Sequence, residues 1–172
     1  MKAMFQAGCV LLACALTSIE NAAAQSANKG CSSENSIGAQ TLHCEGGVTI
    51  IAENGARYAL QDRGGKGRVD AVELTGGALL VEVARKSGGN RFQVITPQAI
   101  AAVRGTKWAV DATEAKTSVF VVNGRVAVGR RRGSHSVTLG GGDGVDVEET
   151  GPLTVKRWPA PRVSALMARL GQ

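Results

Sequence analysis

The chain has 172 residues, with 20 Lys and Arg against 14 Asp and Glu for a formal net charge of +6, and only 3% of it is aromatic. That length argues for one domain. So few aromatics exclude the stacking platforms of single-strand nucleic-acid binders, so the positive charge is read as directed at other polyanions and nucleic acid is not expected as a partner.

Lys2 gives a positive start, Ala7 to Leu16 is an apolar run too short to span a bilayer, and Ala22-Ala23-Ala24 before Gln25 has the small-x-small form of a signal-peptidase site. Residues 1–24 therefore predict a removable export signal. The alternatives are a retained anchor and lipidation at Cys14, where the bulky Leu12 fits a lipobox poorly. No other segment reads as membrane-spanning. Cys9 and Cys14 leave with the signal, and Cys31 and Cys44 remain. A single pair in an oxidising compartment predicts a disulfide. It would close the polar loop Ser32 to His43 and stabilise the fold by roughly 3 kcal/mol. A metal pair would need more ligands than two cysteines and His43, and redox pairs usually have two residues between the sulfurs.

After this polar segment (25–47), Val48 to Ile51 and Arg57 to Leu60 flank Glu53-Asn54-Gly55 and read as a hairpin. Gln61 to Arg68 is a loop. Val69 to Leu74 and Ala78 to Val83 are strands separated by Gly76-Gly77, and Arg85 to Asn90 is a polar turn. Phe92 to Thr96 stops at Pro97, and Ala99 to Val103 and Lys107 to Asp111 flank Arg104-Gly105-Thr106. Thr117 to Val122 and Arg125 to Val128 flank Asn123-Gly124, the strongest hairpin signal in the chain. Ser136 to Leu139 and Val145 to Val147 close the series as a terminal hairpin around Gly140-Gly141-Gly142. Trp108, Val110, Val119, Val121, Val126 and Val128 alternate as an inward face should. The expected fold is all-β, with many short strands in a sandwich, barrel or solenoid over 48–150.

The last segment, 151–172, is a linker and a helix. Beyond Pro159 and Pro161, Val163, Leu166, Met167 and Leu170 recur at helical spacing. The expectation is a short helix packed on the sheet edge, with Arg162 and Arg169 away from or flanking its stripe. The other reading makes it a docking or membrane-surface helix through those two arginines.

The block from Phe92 to Val128 carries the most information. Val94-Ile95-Thr96-Pro97, then Val103-Arg104-Gly105-Thr106-Lys107-Trp108-Ala109-Val110, then Thr117-Ser118-Val119-Phe120-Val121-Val122-Asn123-Gly124-Arg125-Val126-Ala127-Val128 together resemble the FecR domain family. That family has a V-x-T-P strand, V-R-G-T-x-F/W-x-V and a T-x-V-x-V-x-x-G-x-V-x-V hairpin. The resemblance extends over roughly 48 to 148. The family residues carried over are Thr96, Pro97, Val103, Arg104, Gly105, Thr106, Trp108 and Gly124. It implies a FecR-type β domain. In the best-known members this domain is joined to a membrane helix and a cytoplasmic anti-sigma segment. Neither is read in this sequence, so the expectation is a stand-alone periplasmic module whose partner is an envelope protein, a membrane-bound sensor among the candidates. For Arg104 the residue chemistry favours a buried hydrogen-bonding hub that satisfies turn carbonyls over an anion contact.

Catalysis finds no support. His43 and His135 sit in no ligand spacing, and no nucleophile elbow or phosphate-cradling loop occurs. No catalytic residue, metal or cofactor is expected. Gly141 to Val147 opens like a calcium β-roll repeat but occurs once, so Asp143, Asp146, Glu148 and Glu149 read as a solvated edge, with a hydrolase using Asp143 or Asp146 as the outlying alternative. The candidate partner-binding residues are Arg130, Arg131 and Arg132, three arginines in one loop, with Arg162 and Arg169. An alternative function, binding of an anionic envelope polysaccharide, rests on that loop and on the net charge.

Overall fold

A computed structural model describes residues 30–85 and 91–172. The export signal at 1–24 and residues 86–90 of the polar turn lie outside the described residues. The strands are β1 (Cys31–Ser36), β2 (Ala39–Cys44), β3 (Val48–Glu53), β4 (Arg57–Gln61), β5 (Ala71–Val83), β6 (Phe92–Ile95), β7 (Ala99–Val103), β8 (Lys107–Ala112), β9 (Lys116–Asn123), β10 (Arg125–Arg130), β11 (Ser136–Gly140), β12 (Asp143–Glu148) and β13 (Lys156–Arg157), followed by helix α1 (Ala160–Arg169).

The mostly-β expectation holds. Two sheets share the long strand β5, which bends at Gly76-Gly77. Sheet A runs β1-β2-β3-β5-β8-β9-β12-β13, and sheet B runs β4-β5-β6-β7-β10-β11. The β5–β6 pair is parallel and the other strand pairs named above are antiparallel. The fold is thus a curled double sheet around a main core, with a second apolar cluster on the outer face of sheet A.

The core follows from alternation. Leu79 and Val81 of β5, Trp108 and Val110 of β8, Val119 and Val121 of β9, and Val126 and Val128 of β10 are all buried in the space between the sheets. Every residue predicted to face inward does so. Sheet A is buried on its other face as well. There Ala78, Leu80, Ala109 and Phe120 meet Trp158, Leu166 and Leu170, with Val163 and Met167 packed beside them. The predicted helical stripe is therefore correct, but α1 covers the outer face of sheet A and not its edge. The alternating strand puts apolar residues on both sides, which is why β5, β8 and β9 read as nearly continuous hydrophobic runs.

Three predicted hairpins are corners. β3 pairs with β2 and β5 while β4 pairs with β5 alone, β9 pairs with β8 and β12 while β10 pairs with β7 and β11, and β11 belongs to sheet B while β12 belongs to sheet A. In each case the chain leaves one sheet and enters the other. A corner and a hairpin share the strand–glycine–strand pattern. Only the partner of the second strand separates them, and that is tertiary.

The cysteine segment also differs from the loop expected. Residues 31–44 form the β1–β2 hairpin, with Cys31 directly opposite Cys44 in register, and the sheet begins at Cys31. The disulfide joins them with 2.06 Å between sulfurs. β1 is an edge strand of exposed Ser, Glu and Asn, a composition that β-propensity reads as loop and that protects an edge from pairing.

Two outcomes test this fold. Gly124 has φ +96°, and a Cβ there would stand 2.8 Å from Thr106 Oγ1 and 3.0 Å from the Gly105 carbonyl. Gly124→Ala is expected to lower unfolding free energy by about 1–3 kcal/mol in urea titrations; an unchanged midpoint would show that the corner is not constrained. Reducing the disulfide is expected to cost about 3 kcal/mol in the same titration, and equal stability with and without reductant would remove its structural role.

Candidate functional site

Six of the family-like residues, Val103, Arg104, Gly105, Thr106, Trp108 and Gly124, gather toward one end of the double sheet. Val103 ends β7 in the core, and Gly105 (φ +65°) turns the chain from sheet B to sheet A. A Cβ on Gly105 would collide with the Arg85 side chain. Thr106 is buried, and its hydroxyl donates to the Arg125 carbonyl at 3.0 Å, across to the second corner at Gly124. The Thr106 carbonyl accepts from the Val83 N–H at 2.9 Å. One threonine thereby joins two crossings to β5. Trp108 follows, fully buried and edge-on to Phe92 at 6.2 Å between ring centres. Its indole N–H has no hydrogen-bond partner among the described residues, so the ring serves packing, consistent with a motif position that takes Phe or Trp. A register shift at Lys107/Trp108 is the local bulge expected of Gly105.

Thr96 and Pro97 sit at the opposite end, in the β6–β7 turn. Thr96 is buried; its hydroxyl donates to the Ala99 carbonyl and accepts from the Ala99 N–H, at 3.1 and 2.9 Å. The Thr117 hydroxyl lies 2.7 Å from Thr96 Oγ1 and 2.8 Å from Gln98 Oε1, tying the turns of the two sheets together.

The arginine loop lies beside this turn, where Pro97, Gln98, Glu114, Ala115, Glu149 and the three arginines line a cleft of about 440 Å³. Its arginines are not equivalent. Arg130 donates to the Glu148 carbonyl at 3.0 Å and to that of Gly151, holding down the end of β12. Arg131 donates to Glu73 and to the Thr96 carbonyl, both at 3.3 Å. Arg132 alone of the three has no such partner among the described residues and is exposed.

Arg162 and Arg169, read as docking residues, hold the helix to sheet A. The Arg162 guanidinium lies 3.6 Å from the Trp158 ring centre, and Trp158 stacks on Phe120 at 5.2 Å. Arg162 also donates to both oxygens of Asp146 and to Ser118. Arg169 grips Glu53 and Asp111 with two bonds each, at 2.7–3.1 Å. Gly144 leaves the space that Trp158 fills, since a Cβ there would overlap the indole. Asp143 accepts from the Gly140 N–H and Arg157. Both acidic candidates for hydrolysis are thus engaged in holding the fold together.

Arg104 is exposed and so is not the buried hub expected of it; it lines a small cavity with Arg68 and Arg91. Arg68 ends the loop read at Gln61 to Arg68 and Arg91 directly precedes β6; they are far apart in sequence, and no spacing links them to the motif. Among the described residues no group of His, Cys, Asp or Glu is arranged to hold a metal, and no helix is long and apolar enough to cross a membrane.

Against known proteins, the family model described as FecR protein matches residues 38–127, a little more than half of the chain. Two crystal structures of a candidate anti-sigma factor from Parabacteroides distasonis ATCC 8503, at 1.65 and 2.50 Å resolution, have the same fold with a TM-score of 0.60 and 23% identity. They cover 75% and 80% of this chain, which in turn spans 60% and 63% of theirs. No curated protein matches.

The helix clamp responds to pH. Hydrogen bonds from Arg169 hold the Glu53 carboxyl below its usual range against the opposing effect of burial. Burial pushes Asp146 up, but hydrogen bonds from Arg162 and Ser118 and the Arg162 charge together outweigh it and leave it lowered. Groups depressed in the folded state stabilise fully above their unfolded values, so this contribution is complete above about pH 5 and is lost as pH falls through about 4 and below. Arg169→Gln is expected to cost about 2 kcal/mol at pH 7 and to flatten the acid limb of the stability profile. A parallel profile, displaced but equally steep, would show that the clamp does not titrate.

Proposed function

The chain belongs to the FecR protein family, and we propose that it is a non-enzymatic periplasmic protein-interaction module, accessory to envelope signalling through a membrane-bound sensor. The observation that carries this reading is the family match over 38–127, which falls on the two-sheet body and includes both motif corners. The disulfide suits export to an oxidising compartment, as does the signal read at 1–24. The absence of catalytic motifs from the sequence agrees with a binding role.

The contact we propose at the arginine loop centres on Arg132, because Arg130 and Arg131 are occupied by the protein's own carbonyls and Glu73. Arg162 and Arg169 act through the helix they hold. A polysaccharide surface would call for a run of free cations, and the loop supplies only one of its three.

The test is a pull-down of the tagged chain from gently solubilised envelopes at low and high salt, read by mass spectrometry. The expected result is a membrane protein with a cytoplasmic output domain, retained at high salt and reduced by Arg132→Gln. Recovery of glycan alone, at low salt only, would replace this reading with the polysaccharide one.

A further inference from the structure

At the end of the double sheet where β7 passes into β8, loops from four parts of the chain enclose a cavity of about 50 Å³. Its floor is apolar, built from Val48, Val69, Val83 and Phe92. Three guanidinium-bearing residues, Arg68, Arg91 and Arg104, line it, together with the carboxylates of Glu45 and Asp70. Asp70 is committed to its own loop, accepting the N–H groups of Arg63 and Gly64 at 2.8 and 3.0 Å. Arg68 and Arg91 have no hydrogen-bond or ion-pair partner among the described residues, and Arg68 is half-buried. Arg85 lies just outside, over Gly105, in space that any side chain at that position would occupy.

We propose that this basic mouth receives an acidic side chain from an extended segment of a partner protein, with its carboxylate held between Arg68 and Arg91 and Arg104 alongside. The proposal rests on the interaction-module reading and names the chemistry of the partner. Size decides the class of ligand: small-molecule pockets run to several hundred Å³, whereas this one admits a head group. Guanidinium forks match a planar carboxylate in two-point geometry, and the valine and phenylalanine floor suits the methylenes of Asp or Glu. A guanidinium carried on a partly buried side chain gains more from a carboxylate partner than a fully solvated one does. The apolar floor also lowers the local dielectric, which strengthens the ion pair that forms there. At the Arg130–Arg132 cleft two of the three arginines are already engaged, whereas Arg68 and Arg91 are the pair on which this proposal rests.

The test is an NMR titration of the chain with an acetylated hexaglutamate peptide, with hexaglutamine and inorganic phosphate as separate arms. Saturable shifts of the Gly46, Val69, Val83 and Phe92 amides with hexaglutamate are expected, weakened at least about tenfold in the Arg68→Gln/Arg91→Gln variant and unchanged in Arg132→Gln. Arg91→Gln alone, at an exposed position, gives the same direction should the double variant fold poorly. Shifts centred on 130–132, equal response to hexaglutamine, phosphate binding at the mouth as tight as the peptide, or no saturable shift would each overturn the proposal. In the envelope pull-down, full retention of a partner by the double variant would overturn the mouth while leaving the interaction module standing. Absence of any protein partner for the unmodified chain would overturn the module, and the peptide titration would still decide the mouth.

Discussion

The chain crosses between the same two sheets at Gly105 and Gly124, side by side, where there is no room for a side chain. Thr106 holds the crossings together through the Arg125 carbonyl, and its own carbonyl fixes them against Val83 of the shared strand. This fixes the register of β8 between β5 and β9. A slip of one residue would exchange the faces of a strand, and β8 cannot tolerate the exchange. Trp108 and Val110 fill the space between the sheets, while Ala109 on the other face is small enough to let the helix approach. The inner core, the seating of α1 and the direction of sheet B beyond Gly124 all follow from the same two corners.

How far the sequence could be read follows from what each feature depends on. Alternation is local, so the inward set on β8, β9 and β10 was legible residue by residue, as was the stripe Val163, Leu166, Met167 and Leu170. The pairing of strands is not local. Asn123-Gly124 has the composition of a tight hairpin, yet β9 and β10 part into different sheets because Val121 pairs back to Trp108 and Val126 pairs to Val103. The cysteine segment misled in the opposite direction. Its Ser, Asn and Gly content reads as loop, but the Cys31–Cys44 link and pairing to β3 hold it as strands. The site was least legible of all. Three adjacent arginines advertise a charged patch, whereas Arg68 and Arg91, which line one cavity with Arg104, are separated by more than twenty residues in the sequence.

The arginines divide by what lies within reach of them. Arg130 meets the Glu148 and Gly151 carbonyls where β12 ends, Arg162 meets an aromatic face and a carboxylate, and Arg169 meets two carboxylates from β3 and β8. Each of these joins elements distant in sequence, as a rigid fork with five donors can and a lysine cannot. A helix of ten residues with one fully apolar side gains little from propensity alone. Ionic contacts near its two ends, together with the burial of Leu166 and Leu170, hold it in place. The net charge of +6 is therefore a poor guide to free positive surface, because much of it is spent inside the fold.

The two ends of the double sheet differ in a way that bears on recognition. One end carries the β6–β7, β8–β9 and β10–β11 turns, joined to one another by Thr96, Gln98, Thr117 and Arg131. The other carries corners whose backbone is confined by positive-φ glycines and by close approach of neighbouring chain. The faces leave less choice, since α1 covers sheet A, and sheet B presents the short side chains of Ala59, Ala127 and Thr138 to solvent. A corner that cannot relax holds the backbone of its arginine in place before any partner arrives, and this reduces part of the ordering cost that binding must overcome. Arg104 stands on such a corner, beside two guanidinium groups delivered by other loops. The constraint that makes the fold cross over at Gly105 is therefore the same one that preorganises the basic mouth.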